Sequence, residues 1–148
     1  MSRPFKPNDF PTLTPFLAVR NIAESIAFYE RVFGFKVCGE PIKQDGRIMH
    51  AELTLGEAKI MLGWEEGDCG FKNRSPRTSG VVPPMLMYVY VPKVDDFFKH
   101  AKTSGAEVMQ EPINQFWGDR MCTLRDQDGY EWNFATNVGE CDFSKMPK

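Results

Sequence analysis

The apolar positions follow two rhythms, and the rhythms alternate along the chain. After the extended run Leu17-Ala18-Val19, residues Ile22, Ile26, Tyr29 and Phe33 recur at helical spacing and predict a helix with one apolar stripe. Asn21 stands before that stripe with Glu24 three residues on, a capping-box arrangement, and Gly34 suits the left-handed residue that ends a helix. Residues 48–54 and 58–63 then read as strands, and Asp45-Gly46 is a turn signal ahead of them. The same order returns downstream. Val89-Tyr90-Val91 leads to Pro92, which suits a helix start, and Asp95 and Asp96 favour the positive helix end. Val94, Phe97, Phe98 and Ala101 form the apolar face, Gly105 closes it, and 120–124 and 130–135 read as strands around the Asp128-Gly129 turn.

The two stretches are a repeat. Val19 and Val91 are 72 residues apart, while Gly34 and Gly105, and then Glu40-Pro41-Ile42 and Glu111-Pro112-Ile113, are 71 apart. One residue is lost inside the helical part. Each half is β-α-β-β-β, over 12–63 and 84–137. A linker or flap at 64–83, an arm at 1–11 and a tail at 138–148 complete a single domain spanning 1–148. The arm carries Pro4, Pro7 and Pro11 and should be extended.

Composition narrows the function classes. A chain of 148 residues with 42% hydrophobic and 26% charged residues is long and apolar enough to bury a core without staples. The net charge of −2 argues against a general nucleic-acid binder. No apolar run approaches the roughly 18–20 residues of a membrane helix, and no secretory leader is visible, so the expected location is the cytoplasm. Cys38, Cys69, Cys122 and Cys141 form no C-x-x-C pair and are expected as reduced thiols. Asn73-Arg74-Ser75 matches a glycosylation sequon, which has no meaning in a cytosolic chain.

The paired modules, with Pro15-Phe16-Leu17-Ala18-Val19, Ser25-Ile26-Ala27-Phe28-Tyr29, Phe33-Gly34-Phe35, Met49-His50-Ala51-Glu52-Leu53 and Ile60-Met61-Leu62, resemble the glyoxalase/bleomycin-resistance/extradiol dioxygenase (vicinal oxygen chelate) superfamily. Phe116-Trp117-Gly118-Asp119-Arg120 and Arg125-Asp126-Gln127-Asp128-Gly129-Tyr130-Glu131-Trp132 look most like its PhnB-like, glyoxalase-like subgroup, with Gln127 where the family usually has proline. The resemblance implies an α+β fold of two βαβββ modules forming a cup-shaped, partly open mixed sheet, and a homodimer. Metal-dependent members place four ligands on inward strands. Strand by strand, the matching positions hold Thr14, Met61, Leu86 and Asn133, none of them a carboxylate or an imidazole. The resemblance therefore implies the fold without the usual metal, and no cofactor is expected. His50 and Glu131 remain as isolated candidate donors.

Other residues stand out by type and place. His50 is one of two histidines and lies on a predicted strand, where it could handle a proton in the pocket or simply be structural. Trp117 at the expected cup rim offers a flat stacking surface or a packing contact. Arg120 offers a bidentate fork for a carboxylate or phosphate, or a salt bridge to a neighbour. Phe16 shares a strand face with Thr14, and Tyr88 with Leu86, by the period of two. The expected pocket is thus apolar and aromatic with a few polar groups, as small-molecule sites usually are. It would bind or sequester a small, partly aromatic molecule. The alternatives are a lyase, isomerase or dioxygenase with a non-standard metal site, and a structural module whose cup is filled by its own side chains.

Overall fold

The computed structural model describes residues 3–65 and 72–148. Residues 66–71, inside the expected linker and including Cys69, lie outside the described residues. The chain divides into two compact units, Met1–Ser75 and Pro76–Lys148.

The first unit runs β1 (Phe16–Val19), α1 (Ile22–Phe28), β2 (Lys36–Val37), β3 (Ile42–Gln44), β4 (Arg47–Leu55) and β5 (Ala58–Trp64). The Asn21 side chain accepts a hydrogen bond from the Glu24 N–H, as the capping pattern predicts. The helix does not run on uniformly to Gly34. After Phe28 it widens into a π turn over Tyr29–Phe33, and Gly34 then closes it at φ 72°. A π turn advances each residue through a smaller angle than an α turn, so the buried set shifts. Phe28, Tyr29, Val32 and Phe33 are buried, while Ile26 of the expected stripe is half-buried.

The sheet order is β1-β5-β4-β2, with β3 also on β4. β1 pairs parallel with β5, and β4 pairs antiparallel with its neighbours, so the sheet is mixed. The edge after the helix is broken into β2 and β3. Gly39 takes φ 70° and Pro41 has no N–H to give to a ladder. Asp45 and Gly46, at φ 50° and 78°, make the tight turn into β4. Leu17, Val19, Leu53, Ile60 and Leu62 form one face of the sheet and are at most 2% exposed. Each such side chain stabilises the fold by about 1.5–3 kcal/mol on burial.

The second unit runs α2 (Pro76–Ser79), β6 (Met87–Tyr90), α3 (Val94–Thr103), β7 (Glu107–Asn114), β8 (Asp119–Arg125) and β9 (Glu131–Asn137). Its sheet order is β6-β9-β8-β7, again with one parallel pair, β6 on β9. Lys93 gives α3 no side-chain cap. The Val94 N–H instead donates to the Thr136 hydroxyl on β9, which in turn donates to the Val91 carbonyl. Trp132, Phe134, Cys122 and Leu124 line the helix-side face, with Phe97 of α3 4.2 Å from the Phe134 ring. Burial pushes the Cys122 thiol up to about 11. Asp126 builds the β8–β9 turn: one carboxylate oxygen accepts from the N–H groups of Asp128 and Tyr130, the other from the Trp132 indole.

Both units therefore carry the β-α-β-β-β order on mixed sheets, and the architecture is the expected α+β one. Among the described residues no helix is long and apolar enough to cross a membrane.

Candidate functional site

In each sheet, alternate residues turn away from the helix. Ladder register identifies them, because directly paired residues share a face. In the first unit Phe16 pairs with Met61, Met61 with Glu52, and Gly63 with both Ala18 and His50. Phe16, His50 and Met61 thus come together on one face, and Glu52, which sequence reasoning did not single out, lies among them. The Phe16 ring stacks on His50 with centroids 6.1 Å apart and planes at 21°. Gly63 makes that possible. A Cβ there would collide with the Phe16 ring, so only glycine leaves the ring room to lie flat.

A polar chain continues from His50. Its Nε2 lies 3.7 Å from Glu52 Oε1, and Glu52 Oε2 lies 3.5 Å from Lys59 Nζ. Lys59 is 5% exposed, which is unusual for a lysine. Asp9 of the arm supplies a second carboxylate at 3.3 Å, and the Phe10 ring centroid lies 3.9 Å from the ammonium. Burial works to lower the Lys59 pKa. The Asp9 hydrogen bond and the charges of Cys38, Asp9 and Glu52 outweigh it, so the net shift is upward.

In the second unit Tyr88 pairs with Asn133, and Asn133 with Thr123. The Thr123 hydroxyl donates to the Asn133 amide oxygen at 2.8 Å. Tyr88 and Tyr90 both donate to one oxygen of Asp119, at 2.7 and 2.9 Å, and the Trp117 indole N–H donates to the Tyr88 oxygen at 3.1 Å. Asp119 is 2% exposed, whereas Tyr88, Tyr90 and Trp117 are 39%, 64% and 39% exposed. The two tyrosine tips are tied to a buried carboxylate and the indole to a tyrosine oxygen, while the three residues remain exposed. Burial alone would raise the Asp119 carboxyl. The hydrogen bonds from Tyr88, Asn137 and Tyr90 overcome that and hold it below the ordinary carboxylate range. Burial, reinforced by that carboxylate, pushes the Tyr88 hydroxyl up to about 12.

The chain after β9 holds this arrangement from behind. The Asn137 amide nitrogen donates to Gly118 O, Asp119 Oδ1 and Gly139 O at 3.3, 3.1 and 3.2 Å. The N–H groups of Val138 and Gly139 both donate to Gly118 O, and that of Asp142 to Phe116 O. The loop that carries Trp117 is therefore stitched to residues 137–142. No sequence signal pointed to this, because the contact joins two irregular segments. The nearest hint was Gly118 itself, whose φ of 99° needs glycine.

The remaining expected site residues are placed as follows. Thr14 is half-buried just before β1, and Leu86 is 45% exposed just before β6. Arg120 lies on the other face of its sheet. It pairs with Thr136, and its guanidinium makes two 2.8 Å bonds to Asp95 at the start of α3 and a third to Asn114. Glu131 is ion-paired with Arg125 at 3.0 Å. Gln110, opposite Thr123 in the ladder, has a buried amide nitrogen with no hydrogen-bond acceptor among the described residues.

Among the described residues one group of three metal-type donors lies close together: Asp9, Cys38 and Glu52, with ligand atoms within 4.8 Å of one another. The Lys59 ammonium sits against both carboxylates and already supplies the positive charge they face. Thr14, Met61, Leu86 and Asn133, which the family resemblance matches to metal-ligand positions, carry no carboxylate or imidazole, and that donor set does not suit a metal ion of the usual kind.

Comparison with known proteins gives a consistent result. Residues 12–134 match the family described as the Glyoxalase/Bleomycin resistance protein/Dioxygenase superfamily. An uncharacterised protein of Mycobacterium bovis is 31% identical over 137 residues, covering 92% of this chain and 90% of that protein. One from Mycobacterium tuberculosis is 31% identical over 137 residues, covering 92% and 80%. Among solved structures, TioX from Micromonospora superposes with a TM-score of 0.71 at 24% identity, covering 87% of this chain and 100% of that one. A glyoxalase/bleomycin resistance protein/dioxygenase family enzyme from Burkholderia phytofirmans gives 0.65 at 20% identity, covering 83% and 95%. At those identities the structures speak to the fold alone.

Proposed function

The chain belongs to the glyoxalase/bleomycin resistance protein/dioxygenase superfamily, and from that premise we propose that it binds or sequesters a small, partly aromatic molecule without a metal at the superfamily's usual position. One observation carries this reading. Tyr88, Tyr90 and Trp117 stay 39–64% exposed while the two tyrosine hydroxyls are fixed on buried Asp119 and the Trp117 indole N–H is fixed on the Tyr88 oxygen. Tying down an aromatic side chain before the ligand arrives lowers the ordering cost of binding. Asn133 and Thr123 add polar atoms beside the rings, and Phe16 stacked on His50 gives the first unit's sheet an aromatic patch of its own. Arg120 has no part in this reading, since Asp95 and Asn114 occupy its fork. The protein is expected to work in the cytoplasm as a homodimer.

The test is a screen of planar aromatic compounds by thermal shift, followed by titration of tryptophan fluorescence. A bound compound should raise the melting temperature and change the emission, because a ligand selective for the folded state stabilises it. The emission change should vanish in Trp117→Phe. Metal analysis of the purified protein is the counter-test: stoichiometric nickel, zinc, iron or manganese would overturn the metal-free part. A non-standard metal enzyme is the second reading, favoured only by the Asp9, Cys38 and Glu52 group.

A further inference from the structure

We propose that the Lys59 ammonium is a carboxylate-recognition site, occupied here by Asp9 and Phe10 of the chain's own arm, and that an aromatic carboxylate takes their place when the arm lifts. The inference rests on the small-molecule-binding reading and names a ligand class for it.

A lysine buried to 5% exposure needs a reason to be there. Glu52, from the adjacent strand β4, supplies one fixed carboxylate at 3.5 Å. The second comes from outside the sheet. Asp9 reaches in at 3.3 Å while its own side chain is 66% exposed, and Phe10 lays its ring 3.9 Å from the same ammonium. A carboxylate and an aromatic ring side by side on one cation are the two recognition groups of an aromatic acid.

The contact is also built to be given up. The arm has no regular secondary structure between Arg3 and Pro15. It is folded on itself by local bonds, from Lys6 Nζ to the Phe10 carbonyl and from the Phe10 N–H to the Pro7 carbonyl, which can persist when the arm swings away. Replacing one carboxylate by another leaves the charge around Lys59 and Glu52 unchanged, so the exchange needs no new counter-charge. A neutral aromatic molecule would leave the buried ammonium with Glu52 alone. The neighbours on the same sheet face suit the rest of such a ligand: Met61 pairs directly with Glu52, and the Phe16–His50 stack lies beside it.

The experiment compares benzoate and 2-naphthoate with benzamide, by calorimetry and NMR titration, on the full chain and its Asp9→Ala, Asp9→Asn and Lys59→Gln variants. The arm competes with the acid from within the chain. Removing a partly exposed ion pair should therefore tighten binding by about fivefold, the ratio equivalent to roughly 1 kcal/mol. Both acids should bind Asp9→Ala more tightly than the unsubstituted chain, benzamide should bind neither appreciably, and the acids should raise hydrogen exchange in residues 3–11. Equal affinity with and without Asp9, or benzamide binding as well as benzoate, overturns the proposal. So does stoichiometric zinc or manganese binding that Asp9→Ala abolishes, since that makes the cluster a cation site. If Lys59→Gln does not fold, the two Asp9 variants still decide. A neutral planar compound that quenches Trp117 while the acids ignore Asp9 would sink this proposal and leave the general binding reading standing. No response of any variant to any compound removes both.

Discussion

Replacing Gly118 by alanine tests whether the segment after β9 really holds the Trp117 loop. Gly118 sits at φ 99°, and a Cβ there would collide with the Gly139 carbonyl oxygen and lie 2.9 Å from Gly139 C and 3.1 Å from Glu140 C. These are backbone atoms, so no side chain can rotate out of the way. The left-handed backbone alone costs a residue with a Cβ about 1–2 kcal/mol. Relieving the collision means moving residues 138–142, which breaks the bonds from Val138 and Gly139 to Gly118 O and from Asp142 to Phe116 O. Each such bond contributes about 0.5–1.5 kcal/mol net. An overall loss near 3 kcal/mol is expected. Urea unfolding should show a lower midpoint with an unchanged slope. Protease should clip the C-terminal segment faster, and the Trp117 indole resonance should shift while those of Trp64 and Trp132 stay. A loss below about 0.5 kcal/mol, with the Trp117 resonance in place, would refute the reasoning.

Further outcomes follow from the same geometry. Absorbance titration of tyrosinate should show Tyr88 ionising near 12. Its folded value lies above the unfolded one near 10, so its contribution to stability is complete below pH 10 and is lost as pH rises through 12. Asp119 has the opposite sign. Its folded value is depressed, so its contribution is present above the ordinary carboxylate range and disappears on further acidification; Asp119→Asn should flatten that acid limb of the stability curve. Arg120→Met should cost no more than about 1 kcal/mol, since Asp95 is exposed enough to rehydrate, and should leave small-molecule affinity within twofold by calorimetry. Asp126→Ala should cost about 3 kcal/mol in thermal or urea unfolding, because it leaves a buried Trp132 N–H and two turn N–H groups without this acceptor.

The units of this fold were legible because their signals are local. The Asn21–Glu24 cap, the Asp45-Gly46 and Asp128-Gly129 turns and the period-two strands each involve residues within a few positions of one another, and each recurs in the structure near its expected bounds. The π turn was not legible. A widened turn and a regular helix share almost the same apolar spacing over five residues, and packing of Phe28, Tyr29, Phe33 and Phe35 against one another selects between them. Arg120 shows a second kind of gap. Strand periodicity says which residues alternate, but the partner of a long charged side chain depends on which helix lies over that face, and here α3 brings Asp95.

The repeat, the β-α-β-β-β order and the aromatic character of β6 are written in the amino-acid sequence. These follow from residue type and spacing, which the chain carries unfolded. The tertiary structure alone decided that Asp119 gathers Tyr88, Tyr90 and Asn137, that the segment after β9 braces Trp117, and that Asp9 meets Lys59 across 50 residues of chain. Such contacts join groups remote in sequence: buried Asp119 and Lys59 each need a polar or charged partner, and the brace is made of backbone hydrogen bonds, conditions that exist only once the sheets have formed.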